Sequence, residues 1–173
     1  CFIGERNFKE FLMNYIPANP GDIVNTKGEV VGHHDGVMYY TIGQRKGLGI
    51  GGSNEYKSEA WFVCGKDLEK NELIVGQGHD SIYLESNWCT ATDVNWISYK
   101  PVEGKEYTAK FRYRQKDIAV TIEYKENNEI IVKYPSCCRA VTPGQAVVVY
   151  EGEICLGGAI IDKVYYNDER RKY

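Results

Sequence analysis

The sequence predicts a mainly β protein with one short helix near its N-terminus. Three observations carry that expectation. Only residues 7–16 show the apolar period of an amphipathic helix. From about residue 59 onward, short runs rich in Val, Ile, Tyr and Thr follow one another. Turn-forming pairs separate them: Lys66-Asp67, Asn127-Asn128, Pro143-Gly144 and Glu151-Gly152. Short strands at this spacing close as an antiparallel barrel or pack as a sandwich.

In the helix, Phe8, Phe11, Leu12, Tyr15 and Ile16 fall on one face. Asn7 suits its N-cap, with Glu10 three residues on as in a capping box. Pro17 ends it, and Pro20-Gly21 turns the chain. A hairpin follows, with Asp22–Asn25 and Glu29–Gly32 on either side of Lys27-Gly28. His33, His34 and Asp35 invite a metal reading. Neighbouring strand residues point to opposite faces, so a turn with hydrogen-bonding side chains is the better expectation. The later strands are expected at 60–65, 72–76, 89–96, 106–114, 118–124, 129–134, 146–150 and 154–161. Arg170-Arg171-Lys172 reads as a solvated tail.

The 173 residues make one domain or two small ones. No apolar run approaches a membrane span, and no signal-peptide pattern opens the chain, so a cytoplasmic location without membrane contact is expected. The chain opens on Cys1 in residues that resemble a protein interior, which suggests a fragment or a processed product. The six cysteines form no C-x-x-C, and the three histidines do not sit near cysteine pairs, so no metal site is expected. Cys64, Cys89, Cys137, Cys138 and Cys155 read as small buried residues with reduced thiols.

A net charge of −3 leaves only local basic patches to meet a polyanion. The first is YYTIGQRKGLGIGGS, residues 39–53. Strand-forming residues 39–42 lead into Gln44, Arg45 and Lys46 and then into four glycines, which let a backbone lie against a phosphate-bearing partner. A solvated Gly-rich loop is the alternative. Gly47, Gly49 and Gly52 match G-x-G-x-x-G, but no helix opens after them, and no Gly-Lys-Ser/Thr closes the run. The second patch is Lys110, Arg112, Arg114 and Lys116, whose spacing of two puts them on one strand face, with Phe111 and Tyr113 on the other. A charged outer face explains that stripe equally simply. The two patches together favour a polyanion, with RNA the natural choice.

Long ordered motifs then carry a resemblance: CFIGERNFKEFL, PANPGD, GHHDG, YYTIGQRKGLGIGG, VGQGHD, ATDVNWIS, KFRYRQ and AVTPGQAVVVYEGEICLGGAII. Taken in order, they resemble the C-terminal half of the bacterial tRNA-specific 2-thiouridylases. The resemblance implies a central linking domain over residues 1–57 and a closed antiparallel β-barrel over 58–173. It implies tRNA as partner, and a cysteine desulfurase or sulfur-relay protein as sulfur donor. ATP is then a co-substrate bound by a preceding ATP-pyrophosphatase domain, and this stretch alone is expected to be inactive. Cys1 matches the family's persulfide cysteine, which ends in a disulfide with a cysteine of that other domain. Arg6 and the nearby helix start suit a lowered thiol pKa there. Arg112, Tyr113 and Gln145 match tRNA contacts. Gln44, Arg45, Lys46 and Arg114 are weaker additions from the residues themselves. Ser136-Cys137-Cys138 departs from the Glu/Asp-Pro residues expected there. A non-catalytic RNA-binding barrel is the alternative function. An N-terminal nucleophile hydrolase built on Cys1 would need a strand–helix sandwich that the pattern lacks.

Overall fold

The computed structural model describes residues 8–50, 59–78 and 82–172. They gather into two compact units. One reaches to Tyr83 and takes in Lys172, and the other runs from Leu84 to Arg171.

In the first unit, helix α1 spans Phe8–Met13 and is shorter than predicted. The Asn14 side-chain amide donates to the carbonyls of Glu10 (3.0 Å) and Phe11 (3.3 Å), closing the helix before Pro17. The proposed cap at Asn7 lies outside the described residues. The expected hairpin forms from β1 (Gly21–Asn25) and β2 (Val30–His34). Its turn is set by Asn25, whose Oδ1 accepts the backbone N–H of Lys27 (2.9 Å) and of Glu29 (3.0 Å). β3 (Trp61–Asp67) and β4 (Glu72–Gln77) complete a four-stranded sheet in the order β2-β1-β4-β3. β1 and β4 run parallel. Ile23, Val63, Leu73 and Val75 lie fully buried in this sheet. Residues 61–77 therefore pair with the first unit, whereas the sequence division at 57/58 placed them with the barrel.

The YYTI stretch is not a strand. Val37–Tyr39 form a turn of 3₁₀ helix, and Tyr40 and Thr41 join no sheet. Tyr39, Tyr40 and Ile42 are all buried, and a strand would send Tyr39 and Tyr40 to opposite faces. The Tyr39 hydroxyl donates to the Ile16 carbonyl at 2.6 Å. Burial of two adjacent rings here outweighs their β-propensity.

The second unit is the expected closed barrel. Its strands are β5 (Glu85–Trp96), β6 (Tyr107–Lys110), β7 (Ile118–Tyr124), β8 (Ile130–Arg139), β9 (Ala146–Glu151) and β10 (Ile154–Tyr166). They pair antiparallel in the order β10-β5-β8-β7-β6-β9, and β9 returns to β10 to close the circle. β11 (Glu169–Arg170) folds back onto β10. Alternate residues point inward: Tyr107 and Ala109, Val120 and Ile122, Ile130, Val132 and Tyr134, Val147 and Val149. Closure needs the pair Gly157-Gly158. A Cβ at Gly157 would stand 2.1 Å from the Asn95 carbonyl on β5, and one at Gly158 2.2 Å from the Val147 carbonyl on β9.

Two further expectations do not hold. Cys64, Cys89 and Cys138 are buried, but Cys155 is half-buried and Cys137 is exposed, because alternation on β8 sends Cys137 outward. The basic end of the chain is not a solvated tail at Arg171. That side chain is buried, and its Nε donates to the Glu85 carbonyl at 2.8 Å. Among the described residues, no helix is long and apolar enough to cross a membrane.

Candidate nucleic-acid interface

β6 stops at Lys110, earlier than the predicted Arg114. The reason lies in Gln115. Its Oε1 accepts the Phe111 backbone N–H at 2.8 Å, and its own N–H donates to the Arg112 carbonyl at 3.2 Å. A side chain thus takes a donor that a longer strand would have paired. Arg114 sits at φ 66, in the left-handed region. The expected stripe of four cations on one strand face does not form. Lys110 turns to Asp117 (3.4 Å) and toward the Tyr150 ring (5.6 Å).

What forms instead is a tight turn rooted in the barrel. Phe111 is buried against Tyr134, with ring centres 4.8 Å apart. Tyr113 projects at the tip, 88% exposed. The Arg114 guanidinium lies 5.4 Å from the Tyr113 ring centre, although the strand reading sent the two to opposite sides. Arg112 is half-buried, and its Nη2 donates to Thr142 Oγ1 at 2.9 Å. The Thr142 hydroxyl donates in turn to the Ala140 carbonyl at 3.0 Å.

That contact joins the FRYRQ turn to the TPGQ turn thirty residues further along. The second turn is pinned to β10. Gly144 N–H donates to the Ile161 carbonyl, and Ile161 N–H to the Gln145 carbonyl, both at 2.8 Å. Gly144, exposed, occupies the tip. Gln145 is half-buried, not at the loop tip as expected, and its Oε1 is buried without a hydrogen-bond partner among the described residues.

Cys138, on β8, anchors the first of these turns. Its Sγ accepts from Gln115 Nε2 at 3.1 Å. Burial pushes the Cys138 thiol pKa up, against the pull of the Gln115 hydrogen bond and the Arg112 charge. Ser86 Oγ donates to the Cys138 carbonyl (3.1 Å) and accepts from the Tyr134 hydroxyl (2.8 Å). Arg112, Tyr113, Arg114 and Gln145 thus share one end of the barrel. Sequence reasoning missed Thr142 and Gln115. A hydroxyl just before Pro-Gly and an amide just after a basic-aromatic run were the available signals.

Gln44, Arg45 and Lys46 belong to the first unit. Gln44 folds back on its own loop: Oε1 accepts the Thr41 N–H (3.0 Å) and Nε2 donates to the Lys46 carbonyl (2.9 Å). Gly43 and Gln44 pair through their backbones with Val63 on β3. Arg45 and Lys46 are exposed. His33, His34 and Asp35 go three ways. His33 Nδ1 meets Asp22 Oδ1 (2.8 Å), His34 Nε2 donates to the Asn71 carbonyl (3.1 Å), and Asp35 meets Lys9. The Lys9 ammonium holds the Asp35 pKa below its ordinary value. Cys1 lies outside the described residues.

Two family models match the chain. Residues 9–77 match the tRNA methyl transferase PRC-barrel domain, and residues 86–161 the aminomethyltransferase beta-barrel domain. The tRNA-specific 2-thiouridylase MnmA of Oceanobacillus iheyensis is 54% identical over 174 residues, covering 100% of this chain and 46% of that protein. The protein of the same name from Bacillus subtilis is 55% identical, and MnmA 2 of Geobacillus kaustophilus 56%, at the same coverage. The chain spans about half the length of these curated relatives, 46%. With this identity along the whole chain, and both halves matched by models, the chain belongs to the tRNA-specific 2-thiouridylase family.

Proposed function

We propose that this chain works as part of a tRNA-uridine 2-sulfurtransferase, supplying the tRNA-docking barrel end and the sulfur-carrying cysteine. One observation carries the docking role: the Arg112–Thr142 hydrogen bond gathers Arg112, Tyr113, Arg114 and Gln145 at one end of a closed barrel. Such a surface has guanidinium groups for phosphate and an exposed ring for stacking on an unpaired base. Arg45 and Lys46 add cations from the first unit, while Gln44 serves its own loop.

ATP, held by a domain outside this stretch, adenylates the C2 oxygen of the wobble uridine and releases pyrophosphate. AMP is then a good leaving group. A cysteine desulfurase or relay protein loads Cys1 as a persulfide. A second cysteine, also outside this stretch, attacks the Cys1 sulfur, forming a disulfide and releasing sulfide. Sulfide adds to C2, and AMP departs. A cellular thiol reductant reopens the disulfide.

The test uses full-length protein, ATP, a desulfurase with cysteine, and unmodified tRNA, with 2-thiouridine scored by mass spectrometry. Cys1→Ser is expected to abolish product without weakening tRNA binding, and Arg112→Ala to weaken binding. Full thiolation by Cys1→Ser leaves the barrel as an RNA-binding module with no sulfur-carrying role for Cys1. Unchanged binding by Arg112→Ala removes the docking role.

A further inference from the structure

We infer that Thr142 and Gln115 are positioning residues that hold the Arg112–Arg114 turn in its RNA-binding shape before RNA arrives. The inference rests on the docking role proposed above. Neither side chain needs to touch RNA.

The two braces act on different parts of the turn, its backbone base and its arginine flank. Gln115 fixes its base twice, through Oε1 to the Phe111 N–H (2.8 Å) and through Nε2 to Cys138 Sγ (3.1 Å) on β8. Thr142 fixes its flank, accepting from Arg112 Nη2 (2.9 Å) while donating to the Ala140 carbonyl (3.0 Å). The second bond orients the hydroxyl, because a threonine that donates to a carbonyl keeps its lone pairs for the guanidinium. Arg112 is thereby held half-buried instead of sweeping through solvent. Arg114 holds a left-handed φ of 66 at the tip, a conformation that persists only when its surroundings impose it. Together the braces leave Tyr113 projecting, with the Arg114 cation beside its ring.

A held arginine loses less side-chain entropy on meeting phosphate, so the brace acts on affinity through Arg112. Thr142→Val keeps the shape and removes the hydroxyl, whereas Thr142→Ser keeps the hydroxyl. The experiment measures the dissociation constant of an unmodified tRNA transcript for full-length protein, with thermal midpoints alongside. Thr142→Val is expected to raise Kd about 5- to 10-fold, as the cost of ordering one long side chain at binding predicts. Thr142→Ser restores binding to within about 2-fold of the parent. In a cycle with Arg112→Ala, Thr142→Val adds almost nothing, because the group it positions has gone. Gln115→Ala also weakens binding but adds to Thr142→Val, since it braces the backbone base of the turn and not the Arg112 side chain.

Failure of the docking role and failure of the brace read differently. If Arg112→Ala leaves Kd unchanged, the docking role is wrong and the brace has nothing to serve. If Arg112→Ala weakens binding while Thr142→Val does not, or Thr142→Ser fails to rescue, the docking role stands and the brace is overturned. A Thr142→Val loss that is additive with Arg112→Ala also overturns it.

Discussion

Gln44 and Gln115 close two basic turns by the same device, and the turns differ in what holds them. Each glutamine Oε1 accepts a backbone N–H three or four residues earlier, from Thr41 and Phe111 respectively. In the first turn the other end of the amide returns to the same loop, at the Lys46 carbonyl. The loop then docks on β3 through backbone bonds with Val63, and its cations lie exposed. In the second turn the amide reaches out to Cys138, and Arg112 reaches out to Thr142. Backbone anchoring fixes a loop and leaves its side chains to move. Side-chain anchoring fixes the cation itself. Holding a long side chain costs about 0.5–1.5 kcal/mol at binding when folding has not already ordered it. Under the docking role proposed above, two stretches of similar composition are therefore expected to be unequal as binding surfaces.

The largest test removes the apolar root of each turn. Phe111→Ala deletes a buried ring packed on Tyr134 and is expected to destabilise by about 3–5 kcal/mol in urea unfolding. Ile42→Ala, at the root of the first loop, is expected to cost about 2–5 kcal/mol. Stability alone does not separate the turns, so tRNA binding is measured on whatever stays folded. Phe111→Ala is expected to lose affinity and Ile42→Ala to keep it. The reverse pattern would exchange the roles of the two turns.

Next in size is the pair of arginines. Arg112→Ala is expected to raise the tRNA Kd at least about 10-fold, the scale of a charge-assisted bond to phosphate. Arg45→Ala removes an exposed cation and is expected to raise it only about 2-fold, an effect that added salt erases. Equal losses would erase the contrast between held and exposed cations.

Much of the barrel was legible because inward-facing positions alternate. β7 occupies Ile118–Tyr124, the predicted range, with Val120 and Ile122 turned inward. The end of β6 was not legible. FRYR has strong β-propensity, and what stops the strand is one amide borrowing a backbone donor, which propensity does not register. YYTI failed for a related reason, since adjacent Tyr39 and Tyr40 both face inward. The sheet that claims residues 61–77 depends on the parallel pairing of β1 with β4, a contact across about fifty residues that local pattern does not reveal. In the candidate site, FRYRQ and TPGQ stood out as motifs. Their union did not, because Thr142 lies 30 residues from Arg112, and Cys138 lies 23 from Gln115.

Alkaline pH separates the two units by a smaller margin. Burial raises the Cys89 pKa first, with the neighbouring Cys138 adding to it, and pushes Tyr124 up to about 12. Both groups favour their protonated forms in the native barrel. Their stabilisation is full below the unfolded values, about 8.5 for a thiol and 10 for a phenol. It is lost as pH rises from there toward the native values, by at most about 1.4 kcal/mol per pH unit for each group. In the first unit Tyr40 acts in the same direction, but burial lowers the Lys66 pKa, which opposes it over the range just below 10.4. The unfolding free energy is therefore expected to fall between about pH 8.5 and 11, with Cys89→Ala flattening that slope whatever its own cavity cost. An unchanged slope would mean that Cys89 titrates alike in the folded and unfolded chain.

The smallest effect is the most direct test of the shared device. Gln44→Ala leaves the Thr41 N–H to water at an exposed site, so its stability cost is expected near about 0.5–1 kcal/mol. Gln115→Ala strands the N–H of Phe111, a buried residue, and also releases Cys138, so about 1–3 kcal/mol is expected. Equilibrium urea unfolding resolves that difference. Binding then decides what the difference is for. Gln115 anchors a turn whose arginine is held from outside, so its loss is expected to weaken tRNA binding several-fold. Gln44 anchors a loop already fixed by its backbone, so its loss is expected to move Kd by less than about 2-fold. If Gln44→Ala weakens binding as much as Gln115→Ala, the first loop is a second RNA surface of equal weight, and the manner of anchoring does not decide which basic turn binds.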